Sequence, residues 1–289
     1  MRRKRSLALA AGLILVLTAG LAFAAPKAEP WSRWEANDPN STVRVDHAPW
    51  GRFLKQYVVT GGPSGANLVK YDGVTDADRK DLDYYISMLT QVKVSSLNRA
   101  EQEAYWINLY NSLTLQVVLD RYPVDSILDI NISPGLFSRG PWEKKLVEIE
   151  GEKVSLDDIE HRILRPIWKD NRIHYAVNCA SIGCPNLARK PYTASEMDRM
   201  LDQGARDYIN SPRGVKVEDG NLTLSKIYSW YQVDFGGSEK GVIAHILKYA
   251  GEPLIKKLQD YSGDIEYEYN WDLNDARSGE KDAKKRKGN

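Results

Sequence analysis

The segment from Arg172 to Leu187, RIHYAVNCASIGCPNL, concentrates the side chains that could act as nucleophile and base. It holds both cysteines of the 289-residue chain and one of its four histidines. The alternation of polar and apolar residues over Arg172–Asn178 predicts a strand. On that strand His174 faces one way, while Cys179 continues the opposite, core-facing side.

The second cysteine is the expected nucleophile. The chain turns after Cys179, and Cys184 is followed by Pro185, a residue favoured at the first position of a helix. A thiol at a helix start is stabilised as thiolate by free backbone N–H groups and the helix dipole. This pattern predicts a nucleophilic Cys184 with His174 as its base.

Two other readings of the cysteine pair stay open. An even pair of cysteines in an exported chain is typical of a disulfide, so a Cys179–Cys184 bond that staples the turn is the first alternative. A zinc site built from both thiols, His174 and His161 is the second. The spacing of four residues between the cysteines is looser than in a typical zinc knuckle, and we expect no bound metal.

A long helix is predicted to begin at Asn98 and to run to about Arg121, before a proline. It carries Glu103, Asn108 and Asn111 on one side of an otherwise apolar sequence. A buried amide without a partner costs about 1–3 kcal/mol, so these side chains must be hydrogen-bonded. Either they tie backbone segments together in the core, or Glu103 and Asn111 orient a catalytic or ligand group.

The remaining patterns predict a single α+β domain, mainly helical, with a small mixed or antiparallel sheet. Further helices are expected to start at Asp46, Thr75, Ser155 and Thr193, with a last one over Val242–Leu247. Pro166 is expected to end the helix that Ser155 caps, and Thr193 and Glu196 to form a capping box. The other predicted strands are Leu68–Tyr71, Lys144–Ile149, Gly214–Val217, Leu222–Leu224 and Ile265–Trp271.

The N-terminus has the pattern of an export signal: Arg2–Arg5 are basic, Leu7–Leu17 is apolar, and Ala22-Phe23-Ala24 suits a signal peptidase. An uncleaved anchor is the alternative. We expect a signal peptide over 1–24, an N-terminal extension over 25–45, a globular domain over 46–275 and a basic disordered tail over 276–289. The expected location is periplasmic or secreted.

The charge balance limits the partners. The chain has 40 basic and 39 acidic residues, but the leader and tail are basic, which leaves a mildly acidic body. An acidic body argues against nucleic acid as the partner. No later run is apolar enough for a stable membrane span after signal cleavage. The expected partner is an unknown small molecule or cell-envelope ligand, and no cofactor is implied.

Four blocks, in order, resemble the domain of unknown function 547 family. They are AYWINLYNSLTLQVVLDRYP, SLDDIEHRILRP, RIHYAVNCASIGCPNLARKPYTASEMD and LSKIYSWYQVDF, within roughly Trp50 to Leu247. The family includes exported bacterial proteins, and plant proteins with a leucine-zipper region that this chain lacks. The resemblance implies no substrate. It places recurrent polar residues on Glu103, Asn108, Asn111, Glu160, His161, His174, Cys179, Cys184 and Asp234.

Two functional hypotheses follow. In the first, the protein is a thiol-dependent hydrolase or acyl transferase: Cys184 attacks a carbonyl, His174 takes the proton, Glu103 or Asn111 orients the imidazole, and amides of the turn stabilise the oxyanion. In the second, it is a non-catalytic binding domain stapled by the disulfide. The residues expected to bind the ligand are Asn108, Tyr110, Glu160, His161 and Cys179.

Overall fold

The computed structural model describes residues 27–135, 139–259 and 261–277. The expected signal peptide and nearly all of the expected basic tail lie outside these residues. Helices dominate the described part, and its α-helices are α1 Ala48–Tyr57, α2 Asp76–Thr90, α3 Arg99–Leu119, α4 Arg165–Trp168, α5 Met197–Ile209, α6 Lys226–Trp230, α7 Glu239–Tyr249 and α8 Glu252–Gln259.

The strands are short and form three small sheets within the described residues. The first two sheets are the antiparallel pairs β1–β2 and β3–β4. In the third, β6 pairs antiparallel with β5 and parallel with β7. The mainly helical α+β fold with a small mixed sheet is therefore confirmed. The strands are β1 Val58–Val59, β2 Leu68–Val69, β3 Val147–Ile149, β4 Glu152–Val154, β5 Val215–Glu218, β6 Asn221–Ser225 and β7 Ile265–Glu268.

Helix α3 is the central element of the larger hydrophobic core. Its predicted cap is confirmed, since the Asn98 side chain accepts the Glu101 N–H at 3.0 Å. Nearly every side chain of α3 is buried, as expected for a helix packed on all sides. It packs against α2 and against the helical turn that precedes α4. The N-terminal stretch joins the same core, where Trp34 packs edge-on against Trp106 at 4.9 Å.

A second, smaller core lies between α5, α7 and the three-stranded sheet. Tyr175 belongs to it, and its hydroxyl contacts His245 Nε2 at 2.8 Å. Ala176 and Val177, the next two residues, belong to the larger core. The segment that leads into the cysteines therefore crosses from one core to the other, which fixes its backbone from both sides.

The strand predicted over Arg172–Asn178 is wrong. A 3₁₀-helix covers Asn171–Tyr175, and the Asp170 side chain caps it by accepting the Arg172 N–H at 2.8 Å. Lys169 precedes it in the left-handed region, with φ 53°, which ends α4. Local capping thus overrides the alternation of side chains.

Pro166 does not end the helix that Ser155 caps. A π-helical turn over Asp158–Leu164 leads directly into α4, and the Arg165 N–H bonds the Glu160 carbonyl five residues back. The capping box predicted at Thr193 is also wrong, because Thr193 makes no cap hydrogen bond and Glu196 binds Lys190 and Arg199 instead. The helix expected over Val242–Leu247 is present as α7, but it is not the last one, because α8 follows it.

Within the described residues, no helix combines the length and apolarity that crossing a bilayer requires.

Candidate active site

Both cysteines lie on an irregular loop, Asn178–Pro185, which we call the thiol loop. The Asn178 side chain closes it: Oδ1 accepts the Ala180 N–H at 2.9 Å, and Nδ2 donates to the Pro185 carbonyl at 2.7 Å. No helix follows Cys184, so the expected helix start at Pro185 is wrong. The Pro185 carbonyl instead accepts one of the hydrogen bonds that close the loop.

Asn111 of α3 fixes the entry to the thiol loop. Its Oδ1 accepts the Asn178 N–H at 2.8 Å, and its Nδ2 donates to the Ala176 carbonyl at 2.9 Å. Asn108, one turn earlier, pairs in the same way with the backbone N–H and carbonyl of Tyr192, at 3.0 and 2.8 Å. Both amides thus act as buried backbone partners, the first of the two readings that the sequence left open.

Cys179 is the more exposed of the two cysteines. It is partly exposed, which differs from the expected core-facing position. Its Sγ lies 3.3 Å from the Ser181 hydroxyl and 3.1 Å from the Tyr269 hydroxyl. Burial and the nearby Glu160 charge oppose ionisation, but hydrogen bonds from Cys184, Ser181 and Tyr269 prevail and lower the pKa of Cys179.

Cys184 is the buried thiol, with 4% of its surface exposed. Its Sγ accepts the backbone N–H of Cys179 at 2.9 Å, and the two thiols are also hydrogen-bonded to each other. Burial and the hydrogen bond to Cys179 hold the pKa of Cys184 well above its usual range. The structure therefore assigns the thiolate character expected of Cys184 to Cys179. Both cysteines are free thiols.

A buried group of ionisable residues lies next to the thiol loop. We call Glu160, His161, Arg165, His174 and Asp234 the Glu160 cluster. The π-helical turn places the adjacent Glu160 and His161 side chains both in the interior, at 7% and 4% exposure. Such turns occur frequently at functional sites, because they change which side chains point inward.

Within the cluster, the Tyr110 hydroxyl donates to Glu160 Oε2 at 3.1 Å. Burial opposes the charge of Glu160, but the neighbouring imidazoles, the Arg165 guanidinium and a hydrogen bond from Tyr231 lower its pKa. Burial lowers the pKa of His161 to about 4, so this imidazole is neutral at pH 7. Arg165 Nη1 lies 3.1 Å from His161 Nδ1, and the guanidinium of Arg165 is the permanent positive charge of the cluster.

His174 is oriented by Asp234, and not by Glu103 or Asn111 as expected. Its Nε2 lies 2.7 Å from Asp234 Oδ2, and Arg165 Nε donates to the same oxygen at 2.6 Å. Burial works against the Asp234 charge, but these two bonds lower its pKa to about 2. The His174 ring stacks on Tyr231 with 4.1 Å between centroids. The result is a carboxylate–imidazole pair with a fixed geometry, in which the imidazole is buried and the carboxylate is partly exposed.

The thiols and the cluster are neighbours without a direct bond. Among the described residues, no hydrogen bond joins either sulfur to an imidazole. Glu160 is the member of the cluster whose charge acts on both the Cys179 thiol and the Tyr110 hydroxyl. The described residues also include no group of three or more His, Cys, Asp or Glu side chains that could hold a metal ion.

Aromatic rings continue from the accessible thiol. The Tyr269 ring lies 4.7 Å from that of Trp271 and 4.9 Å from that of Trp230, both partly exposed. Trp142 extends the row, at 5.9 Å from Trp271. This row, which we call the aromatic rim, offers flat apolar faces next to Cys179.

Glu103 lies apart from the thiols. It is two helical turns from Asn111, and its neighbouring charges are those of Asp170, Arg172 and Asp198. It is 7% exposed, and no hydrogen bond to its carboxyl is present among the described residues. Burial is the main cause that raises its pKa to about 8.

The raised pKa of Glu103 predicts a pH-dependent gain in stability for Glu103→Gln. The folded state holds the proton more tightly than the unfolded chain, so ionisation destabilises the fold as pH rises from about 4.5 towards 8. We expect the variant to match the wild type at pH 4 and to exceed its free energy of unfolding by about 5 kcal/mol at pH 9. Urea unfolding at a series of pH values measures this.

The control for this experiment is Glu101→Gln on the same helix. The Glu101 carboxylate accepts the Val45 N–H at 2.8 Å and therefore has the partner that Glu103 lacks. This variant should show no gain at high pH. A gain for Glu103→Gln that is the same at every pH would contradict the assignment.

Sequence reasoning missed the groups that complete the site. Ser181 lies in the segment Arg172–Leu187, but nothing in the local sequence pattern indicates that its hydroxyl contacts a sulfur. Tyr269, Tyr231 and Arg165 reach the site only through the tertiary fold. Asp234 was indicated by the family resemblance alone, 60 residues from His174.

The comparison with protein families gives one result. A profile of the family described as "Protein of unknown function, DUF547" matches residues 94–209. This part of the chain belongs to that family. The DUF547 match is narrower than the resemblance from Trp50 to Leu247, and it contains both thiols and His174, while Asp234 and Tyr269 lie beyond it. Searches of curated proteins and of solved structures gave no significant match.

Proposed function

We propose that this DUF547 protein is an exported, periplasmic or secreted, thiol-dependent hydrolase or acyl transferase, with Cys179 as its nucleophile. The observation that carries the proposal is the setting of Cys179: the residue is partly exposed, and its Sγ lies within 3.3 Å of two hydroxyl groups. A thiol is nucleophilic only as thiolate, so hydrogen-bond donors around an accessible sulfur are what this chemistry needs.

Most backbone amides of the thiol loop already have partners within the protein, which leaves few of them for the oxyanion hole that the sequence suggested. The Ala180 N–H is bonded to Asn178, and the N–H groups of Ile182 and Gly183 are bonded to carbonyls of the 270–272 segment at 2.8 Å. The Cys184 N–H bonds the Ser181 carbonyl. The Tyr269 hydroxyl, which accepts a hydrogen bond from the Ser181 hydroxyl at 3.0 Å, is therefore the donor proposed to stabilise negative charge on a substrate oxygen near the sulfur.

The His174–Asp234 pair is the proposed acid–base group. Asp234 fixes one imidazole nitrogen, while the other, Nδ1, lies 3.9 Å from Glu160 Oε1. An oriented imidazole can protonate a leaving group and activate the water that releases an acyl group. The aromatic rim is the proposed contact surface for the rest of the substrate.

The first experiment compares the two thiols on reduced protein. Iodoacetamide at pH 7 is expected to label Cys179 quickly in the wild type and in Cys184→Ser. It should label Cys179→Ser more slowly by about 100-fold, because the thiol that remains is buried and its raised pKa leaves little thiolate. Peptide mapping by mass spectrometry identifies the labelled residue. Equal labelling of both cysteines, or labelling of Cys184 first, would refute the assignment.

The second experiment tests turnover with p-nitrophenyl acetate. The wild type should acquire one acetyl group on Cys179 and go on releasing p-nitrophenol beyond one equivalent. His174→Ala should still acetylate but should turn over more slowly by about 100-fold, the usual size of an acid–base contribution. His245→Ala is the matched control, since His245 is also buried but contacts Tyr175 outside the cluster. Equal loss in both histidine variants would indicate a structural effect only.

A further inference from the structure

The two thiols are placed to act together as well as separately. Cys184 Sγ lies 2.9 Å from the backbone nitrogen of Cys179 and hydrogen-bonds the Cys179 thiol. A single nucleophilic cysteine needs no second thiol in contact with it. We propose that Cys179 and Cys184 form a reversible dithiol–disulfide couple, which exchanges with a disulfide-bearing reactant through Cys179 and is closed by Cys184. The inference shares with the proposed function only the nucleophilic Cys179.

The difference in exposure sets the order of attack. Cys179 is partly exposed, whereas 4% of Cys184 is exposed. An external disulfide therefore meets Cys179 first, and Cys184 can reach only a sulfur that is already bonded to Cys179. This is the division between an attacking and a resolving thiol that two-step exchange requires.

The thiol loop holds its shape without a covalent bond between its cysteines. Asn178 bridges its two ends, and Ile182 and Gly183 pair with the Asp272 and Asn270 carbonyls at 2.8 Å. Arg213 donates to the Ile182 carbonyl at 3.2 Å and to that of Cys184. The reduced loop is thus already held with its two thiols in contact. A disulfide used only as a structural staple would add little to these contacts.

The exchange is balanced in two steps. The Cys179 thiolate attacks one sulfur of a disulfide R–S–S–R′, which forms a mixed disulfide Cys179–S–S–R and releases R′–S⁻. The Cys184 thiol, after giving its proton to the released thiolate or to solvent, attacks the Cys179 sulfur and releases R–S⁻. The two cysteines lose two electrons together, and the reactant disulfide gains them as two thiols.

The test uses the reduced full chain with oxidised glutathione, followed by acid quenching, alkylation and intact mass measurement. The wild type should end as the internal disulfide without bound glutathione. Cys184→Ser should accumulate one stable glutathione adduct, mapped to Cys179, because no resolving thiol remains. Cys179→Ser should form the adduct more slowly by about 100-fold. A parallel arm with a cyclic disulfide peptide shows whether small or peptide disulfides react faster.

Several results would overturn the proposal. A wild-type protein that keeps the glutathione adduct would show that Cys184 does not resolve it. Equal adduct levels in the wild type and in Cys184→Ser would show the same. Cys184→Ala should trap the same adduct. Its thermal melt, followed by circular dichroism, controls for a folding defect in the serine variant. If Cys179 alkylates and acetylates but no internal disulfide forms, this inference fails while the proposed function stands. An unreactive Cys179 removes both.

Discussion

Replacing Asn111 with leucine is expected to lower the free energy of unfolding by about 4 kcal/mol, and to slow the alkylation of Cys179 as well. The amide is 2% exposed and satisfies the Asn178 N–H and the Ala176 carbonyl. Leucine has a similar size but leaves both groups buried without a partner, at about 1–3 kcal/mol each. Chemical denaturation measures the first effect, and iodoacetamide kinetics at pH 7 measure the second.

Asn108→Leu is the matched control for this prediction. It also removes two hydrogen bonds to buried backbone, but these belong to Tyr192, away from the thiol loop. We therefore expect a similar loss of stability with unchanged alkylation of Cys179 under conditions where the variant stays folded. If neither variant is destabilised, the assignment of these amides as backbone partners is wrong. If both slow alkylation equally, Asn111 has no special role in holding the loop.

Gly183→Ala is expected to reduce the reactivity of Cys179 by about tenfold at pH 7 and to destabilise the fold by about 2 kcal/mol. A Cβ on Gly183 would lie 2.8 Å from both the backbone nitrogen and the backbone oxygen of Asn270, and 3.1 Å from the Tyr269 ring. Backbone atoms cannot move aside cheaply, and overpacking typically costs about 1–3 kcal/mol. The displaced segment carries the Tyr269 hydroxyl away from Cys179 Sγ, which raises the pKa of the thiol and lowers the thiolate fraction.

Two variants separate the causes of this effect. Gly73→Ala, where the added Cβ meets only the Lys70 side chain at 3.8 Å, should leave both stability and alkylation within experimental error. Tyr269→Phe should reproduce the slower alkylation without the clash, because it removes the phenol donor alone. Unchanged alkylation in Tyr269→Phe would show that this hydroxyl does not stabilise the thiolate.

The elements that could be predicted from the sequence are those fixed by neighbouring residues. The caps at Thr75 and Asn98 were predictable because each side chain bonds an N–H three residues later. The amphipathic helices α1 and α2 were predictable from the spacing of their apolar residues. The mixed sheet was predictable as a class, since its strands are short, bounded and few.

The site could be predicted only in part, because its hydrogen bonds are not local. The segment before Cys179 was expected to be a strand, whose backbone pairs with another strand. In the fold, the Asn111 side chain supplies those partners from 65 and 67 residues away. The spacing of residues 172–178 does not reveal that a side chain of helix α3, and not a neighbouring strand, will bond this backbone. The prediction that the polar side of the long helix lies beside the cysteine segment is met at Asn111, which bonds the Asn178 N–H and the Ala176 carbonyl.

The predicted helix start after Cys184 is wrong for a related reason. Pro185 was taken as a helix start, and the electrostatic argument for Cys184 depended on that helix. The Pro185 carbonyl instead accepts a hydrogen bond from the Asn178 side chain, and Cys184, which belongs to the loop, is buried. The donors that favour Cys179 come from Ser181 and from Tyr269, which is 90 residues distant.

The late stretch from Ile265 to Asp275 has a consequence for work with shortened proteins. It pairs with β6, bonds the 182–183 amides and brings the phenol to Cys179. A fragment limited to 94–209 would keep both sulfurs but lose the phenol, the Arg213 guanidinium and the Asp234 carboxylate. If such a fragment showed no thiol reactivity, the cause would be the missing C-terminal segment and not the cysteines. Assays of this protein therefore need the chain through Asp275.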